Sequence, residues 1–418
     1  MCSPKERCYA MSPKLTIVGL NFAPEPTGIA PYTTSLASRL AGAGWTVKVI
    51  TGVPHYPQWR VYAGYTGAHL RASAGEADVL HLRHYVPSAP RLLNRLLMEL
   101  DFGLKAARVD WGDPDVVLFV SPALFSSGIG LLAARLRRRV PRTAIWIQDL
   151  YGRGFQESHA FASALAAPMR WVEAAVVGAA DKTFVIHERF QMHVQNHLGV
   201  PAKKIEIIRN WSHIVAAPNT DRATTRREFG WKDNEVVVLH AGNMGLKQHL
   251  ENVVEAARLA EENGSRVRFV LLGSGNQRGH LEAFGAGASR LQFIDPLPDD
   301  LYFSALSAAD ILLVNELPGV REMAVPSKLT SYFITGRPVL ASVESESATA
   351  DEVRSSKAGI LVASGNPLAL LTAAETLWKN PGTASRLGEN GLAYAAMQLS
   401  TDKAIRRWDE TLRSLKPE

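Results

Sequence analysis

Residues 325–340 of this 418-residue chain join a lysine, a run of hydroxyls and a sharply punctuated backbone in a pattern that suits an anion. Pro326 can fix the approach to a short helix, Ser327 can cap its first free N–H groups, and Lys328 falls where a helix start already favours negative charge. Gly336 and Pro338 then stop the helix and turn the chain into an apolar strand. A second lysine has a comparable setting. His240 ends a β-branched run, Gly242, Asn243 and Gly245 form a loop, and Lys247 precedes a helix expected to begin near Gln248. Amides of such a loop can cradle phosphates while the lysine adds a full charge. Two glycines and a lysine also meet by chance between strand and helix, but this element opens a second run of strands. Lys247 and Lys328 together suit one diphosphate held from two loops.

Other candidates stand at expected strand ends, each beside a plainer reading. Gly28 lies in a strand-to-helix loop where the backbone can approach a phosphate, or serves as an ordinary turn glycine. The Gly-x-Gly-x-x-Gly of a dinucleotide site is missing there. Gly273 and Gly275 form a tight turn or touch a ligand; Ile294 opens a loop able to offer backbone groups to a base. Asp149 follows a strand and can orient or deprotonate a hydroxyl, or cap the next helix. His55, Tyr56 and Trp59 sit in a Pro-rich loop whose rings can line a sugar pocket or pack as a rigid turn; His187 and Glu188 are weaker candidates. No His, Asp or Glu set has metal-ligand spacing, so no metal is expected.

These loops need elements to hold them. Short β-branched runs at 15–20, 46–50, 116–120, 143–147, 183–186 and 205–208 alternate with helical segments such as 32–43 and 161–180. A second series follows at 236–240, 267–272, 291–294, 311–314, 338–341 and 359–362. Such alternation means βαβ units and parallel sheets. The prediction is an α/β protein of two tandem doubly wound, Rossmann-like domains with ligands in a cleft at the strand ends. Its expected parts are an extension at 1–13, a first domain at 14–215, a second at 216–400 and an amphipathic helix at 401–418 that can pack back on the first. That helix carries Ile405, Trp408, Leu412 and Leu415 at helical spacing. The polar stretch 212–226 reads as the linker.

Bulk properties narrow the partners. The two cysteines, Cys2 and Cys8, both lie in the extension, which leaves no disulfide framework and favours a reducing, cytoplasmic setting. No apolar run is long enough to span a membrane. Charge is uneven: residues 1–215 carry a net +9 and the remainder −3. The densest basic cluster is Arg135, Arg137, Arg138, Arg139 and Arg142; Arg91 and Arg95 flank Leu92, Leu93, Leu96 and Leu97. These are solvated helix faces or a surface for anionic lipid at the inner face of a membrane. Nucleic acid is disfavoured because aromatic residues do not interleave with the basic ones.

In their order along the chain, these segments resemble the GT4-type, GT-B-fold glycosyltransferases, nearest the branch that builds colanic acid and related exopolysaccharides. The matching pieces are residues 24–29, 54–59, 147–149, 210–212, 242–248 and 326–330. The resemblance implies a UDP- or GDP-linked sugar bound by the second domain and a lipid-linked glycan acceptor bound by the first. It also implies retention of anomeric configuration and no cofactor or metal. Two donor-binding glutamates of the wider group fall on Met323 and Ser331 here, with Glu322 adjacent; a phosphate-loop arginine falls on Asn243 and an acceptor-side histidine on Gln148. On this basis Gly28, Gly242, Asn243, Gly245, Lys247, Gln248, Gly273, Gly275, Ile294, Glu322, Ser327, Lys328 and Ser331 are expected at the donor. His55, Tyr56, Trp59 and Asp149 are expected at the acceptor, with Asp149 and Lys247 acting in the chemistry. A nucleotide-sugar epimerase and a non-catalytic partner subunit of the same fold are the alternatives.

Overall fold

A computed structural model describes residues 12–26, 28–88, 91–150, 162–212, 221–320 and 327–416, with side chains between 162 and 166 excepted. The extension at 1–11 and residues 213–220 of the expected linker lie outside them. The chain divides into two units, residues 1–209 with 402–418, and residues 210–401.

In the first unit the elements run β1 (Lys14–Gly19), α1 (Ala30–Gly42), β2 (Thr46–Gly52), β3 (His69–Ala74), β4 (Ala77–Leu82), α2 (Leu92–Arg108), β5 (Val116–Ser121) and α3 (Leu124–Arg135). They continue as β6 (Arg142–Ile147), α4 (Ala162–Ala179), β7 (Lys182–Val185), α5 (Glu188–Asn196) and β8 (Ile205–Ile207). The sheet order is β3-β4-β2-β1-β5-β6-β7-β8, and every pairing is parallel except β3 with β4. Order reverses between β1 and β5, the place where doubly wound sheets bind ligands. Strands β5 and β6 are buried along nearly their whole length, which explains their unbroken apolar runs.

The hairpin of β3 and β4 escaped the sequence reading. Strand β3 is an exposed edge with no β-branched residue, and β4 interrupts its apolar positions with Asp78 and His81. The expected linker is also partly folded. Asp221 accepts a hydrogen bond from the Ala223 amide and starts helix α6 (Arg222–Glu228) of the second unit. Arg226 on that helix is buried, donating to the carbonyls of Ala308, Lys232 and Glu235 and pairing with Asp310.

The second unit continues with β9 (Val236–Ala241), α7 (Glu251–Glu262), β10 (Val267–Leu272), α8 (Arg278–Phe284), β11 (Leu291–Ile294), α9 (Asp299–Ala308) and β12 (Ile311–Asn315). Then come α10 (Lys328–Phe333), β13 (Val339–Ser342), α11 (Ala348–Ser356), β14 (Gly359–Val362), α12 (Pro367–Lys379) and α13 (Pro381–Gln398). Its sheet, β11-β10-β9-β12-β13-β14, is wholly parallel, with the reversal between β9 and β12. Apolar residues on both faces of this sheet form two separate core layers under the helices. Among the described residues no helix is long and apolar enough to cross a membrane.

The last helix, α14 (Thr401–Ser414), carries the chain back into the first unit. Trp408 is completely buried, its ring 4.0 Å from Phe184 and 4.9 Å from Trp146. Asp409 accepts a hydrogen bond from the Trp45 indole at 2.6 Å. Removing a ring of this size from a closed core costs about 3–5 kcal/mol. Trp408→Ala should therefore lower the urea midpoint of the first unit by that equivalent; an unchanged midpoint would show that α14 adds nothing to this core.

Candidate functional site

In the second unit the chain leaves β9 and enters the loop Gly242–Gly245 beside the turn that follows β10. The two segments are joined through their backbones: Gly242 N–H donates to Leu272 O, Met244 N–H to Ser274 O, and Gln277 N–H to Met244 O, at 2.9–3.0 Å. A Cβ on Gly273 would stand 2.1 Å from Gly242 O, and one on Gly275 2.3 Å from Met244 O. These two glycines thus serve the close approach of two main chains, which accounts for them without a ligand. Ile294 has a similar fate. Its carbonyl already accepts from Gly273 N–H and from Arg278, so that oxygen is not open to a base.

The loop is closed by Gln248, expected at the donor, and by an asparagine pair that spacing does not mark. Gln248 Oε1 accepts from Gly245 N–H at 3.0 Å and faces the Asn243 amide at 3.4 Å. Asn315, at the end of β12, donates to the carbonyls of Gln248 and His249 at 2.9 Å and accepts from Asn252 at 2.8 Å. His249 can hold its left-handed backbone, φ 43°, because this buried amide pair fixes the carbonyls around it. Instead of a helix from Gln248 there is a single 3-10 turn at Leu246–Gln248, and α7 starts at Glu251. Lys247 is exposed on that turn, and its carbonyl accepts from Leu317 N–H.

Helix α10 brings the second lysine underneath. Tyr332 accepts from Ala241 N–H at 2.9 Å and donates to Leu313 O at 3.2 Å, fastening the helix to the ends of β9 and β12. Lys328 Nζ lies 3.2 Å from His240 Nε2 and 3.8 Å from where a Gly242 Cβ would stand. Burial brings the ammonium down to about 7, against the pull of the Glu316 carboxylate. Burial, and then the Lys328 charge, push the His240 imidazole well below the ordinary histidine range. Ser327 makes no cap: its backbone is already helical (φ −55°, ψ −25°), which leaves its hydroxyl badly placed to reach the first free amides. Ser331 is 3% exposed and presents almost no surface to a ligand, because the inner face of α10 is packed on the sheet. Glu322 lies outside the described residues.

In the first unit the organising residue is Glu25, unnoticed in sequence although it is a charge between two prolines. It is buried, accepting from the amides of His55 and Tyr56, both at 2.8 Å, and from the Asn21 amide at 2.8 Å. His55 Nδ1 lies 2.9 Å from Val53 O and 3.5 Å from Glu25. His55 is only 1% exposed, so it supports the loop from below and does not line a sugar pocket. Tyr56 and Trp59 remain half-exposed, with ring centroids 6.0 Å apart, and Trp59 holds φ 54°. Gly28 (φ 70°) turns directly against Tyr56, at 3.5 Å from an added Cβ. Asp149 is exposed just past β6, with Oδ1 accepting from the next amide at 2.8 Å; residues 151–161, which its expected capping role concerns, lie outside the described residues. His187 caps α5, accepting from Arg189 N–H, and Glu188 pairs with Arg209.

Under His55 lies His84, ring centroids 5.2 Å apart, with Nε2 buried and unpaired. An added Cβ on Gly52 would meet that nitrogen at 2.4 Å. The histidine is recognisable only once the β3–β4 hairpin, which precedes it, is known.

Residues 27–211 match the glycosyl transferase 4-like domain and residues 235–380 match glycosyl transferases group 1. The chain belongs to the GT4-type glycosyltransferases of GT-B fold, near the colanic acid branch, and is an enzyme of that kind. Among its relatives is WcaI of Escherichia coli (strain K12), named as a colanic acid biosynthesis glycosyl transferase. The two are 31% identical over 343 residues, covering 77% of this chain and 81% of that protein. Solved structures share the fold at lower identity. Sucrose-phosphate synthase from Thermosynechococcus elongatus has a TM-score of 0.70 at 17% identity, covering 96% of this chain and 99% of its own. HepE of Anabaena, solved in complex with UDP, has 0.68 at 14%, covering 96% and 100%.

The buried histidine gives a pH signature. Burial, with a smaller push from His55, lowers His84 to about 4, against an unfolded value near 6.5. Between these values the unfolded chain binds more protons than the folded one, so stability is lost as pH falls from 6.5 to 4. The loss attributable to His84 amounts to about 3 kcal/mol. In His84→Gln the fall in melting midpoint across that window should shrink; superimposable profiles would refute the assignment.

Proposed function

We propose that this glycosyltransferase takes its sugar from a UDP- or GDP-linked donor held by the second unit and passes it to a lipid-linked glycan bound by the first. The observation that carries the donor side is the meeting of Lys328, Gly242 and the Lys247 turn at the point where strand order reverses between β9 and β12. Lys247, Lys328 and the amides around Gly242–Gly245 neutralise the charge that grows on the departing diphosphate, the task a divalent cation performs in other transferases. No metal is therefore called for. The acceptor hydroxyl attacks on the face from which the diphosphate leaves, with retention, and Asp149 orients it. The half-exposed rings of Tyr56 and Trp59 support a sugar face on the acceptor side. UDP in HepE and the colanic acid assignment of WcaI fit the same reading.

Removal of the exposed charge in Lys247→Met should lower kcat/KM for the donor by about 100-fold or more, the loss usual for one stabilising group at a leaving anion. Turnover within a few-fold of the unmodified enzyme would discard this role.

Membrane attachment is supported by an apolar surface in addition to the arginine cluster. Arg137 stacks on Trp111 at 4.1 Å and donates to Ala107 O and Val109 O; Arg139 pairs with Asp115. These two guanidiniums are tied to the fold, while Arg135, Arg138, Arg139 and Arg142 remain exposed. Helix α2, by contrast, buries Met98, Phe102 and Ala106 and turns Leu93 (70% exposed), Leu97 (55%) and Leu104 outward along one stripe. Leu132, Leu136 and Trp171 are likewise exposed on α3, just beyond it, and on α4. Such an apolar surface suits a lipid-borne acceptor at a membrane interface. In flotation with anionic liposomes, Leu93→Gln/Leu97→Gln should move most of the protein from the floating to the soluble fraction. Unaltered flotation of the double variant would exclude α2 as the attachment surface.

A further inference from the structure

Lys328 is a basic side chain whose hydrogen-bond partner is another base. Among the described residues no carboxylate lies within ion-pair distance of Nζ, and its one hydrogen-bond partner is an imidazole nitrogen, His240 Nε2. His240 is completely buried. The titratable groups that act on the amine are this imidazole from β9 and Glu316 just past β12. Glu316 accepts from Thr349 Oγ1 at 2.5 Å, so one carboxylate oxygen is already held by another partner. Tyr332 spends its hydroxyl on the backbone of β9 and β12, and burial holds its proton in place.

An ammonium half-buried in such surroundings is disfavoured unless an anion compensates it. The imidazole offers a lone pair and no negative charge, and charging the ring beside an ammonium is unfavourable in its turn. Two neutral bases sharing hydrogen bonds is the arrangement of lowest cost. It changes when an anion arrives over Gly242, whose missing side chain leaves the amine only a thin layer of backbone from the loop surface.

We infer that His240 is a positioning residue, a neutral ring where a counter-ion would otherwise stand, which leaves Lys328 largely an uncharged amine at pH 8 in the empty enzyme, and that a nucleoside diphosphate draws a proton from solvent onto Nζ as it binds. The inference deepens the donor reading above and rests on it. The proton comes from bulk water or buffer, Nζ gains one N–H, and no other bond changes. The full charge is present while the diphosphate is in place and is given up when it leaves. His240 thereby makes product release easier than a permanent cation would, since the site sheds its charge together with its ligand. The shift of the amine to about 7 agrees with this geometry.

The test is calorimetric. UDP, and if it does not bind then GDP and ADP, is titrated into the full chain at pH 8 in buffers of different ionisation enthalpy, so that the dependence of heat on buffer counts protons. The expected result is uptake of about one proton at pH 8, falling toward none near pH 6, with affinity dropping several-fold per unit above pH 7.5. Lys328→Arg keeps its charge at every pH and should bind nucleotide with no uptake and a flat profile. His240→Asp gives the lysine a carboxylate, so the amine is charged beforehand and uptake should vanish; if that variant does not fold, Lys328→Arg alone decides. Nucleotide binding with less than about 0.2 proton taken up, or with equal uptake in Lys328→Arg, overturns the inference and leaves the donor reading standing. Binding of no nucleotide at all overturns both.

Discussion

The loop after β9 depends on two main chains lying closer than side chains permit. Gly273 and Gly275 let the turn after β10 hydrogen-bond directly to the loop after β9, and that contact fixes where Gly242 and Lys247 can be. Any Cβ at Gly273 would force the loop outward, away from Asn315 and from Lys328 below. The amide pair Asn252–Asn315 completes the constraint from the other side by holding the carbonyls of Gln248 and His249. Between these supports the loop has little freedom, which is what a site for a developing charge requires. Rigidity here is bought from backbone, not from side-chain bulk.

The first unit solves the equivalent problem with a carboxylate. Glu25 replaces missing backbone partners for the amides of His55 and Tyr56, so a Pro-rich segment with no regular structure is held as firmly as a strand. His55 and His84 then fill the space beneath, ring against ring. Polar side chains that look catalytic in sequence are here the floor of a loop, while the aromatic rings beside them keep a solvent-facing surface.

The order of strands and helices was legible because buried parallel strands are continuous apolar runs and the helices between them are periodic. The β3–β4 hairpin was not, since an exposed edge strand carries no such run, and α6 was hidden in a polar stretch that only Arg226 and Asp310 make structural. Glycines and lysines of the loops beside β9 and α10 could be singled out from spacing alone. Their division of labour could not: Gly273 and Gly242 look alike until backbone distances are known, and nothing local to Ser331 reveals that α10 turns it inward. Asn252, Asn315 and Glu25 were missed for one reason. Each acts on residues remote in sequence, so neither spacing nor composition marks it.

Helix α14 has a bearing on how the molecule is made. The first unit is encoded first, yet the ring that closes its core between Trp146 and Phe184 is Trp408. During synthesis this unit must wait through the translation of residues 210–401 with an aromatic socket uncovered, whereas the second unit has all its strands and covering helices by then. The later-encoded unit is therefore the first to be complete, and the earlier one stays open to chaperones and proteases until the ribosome has passed Trp408.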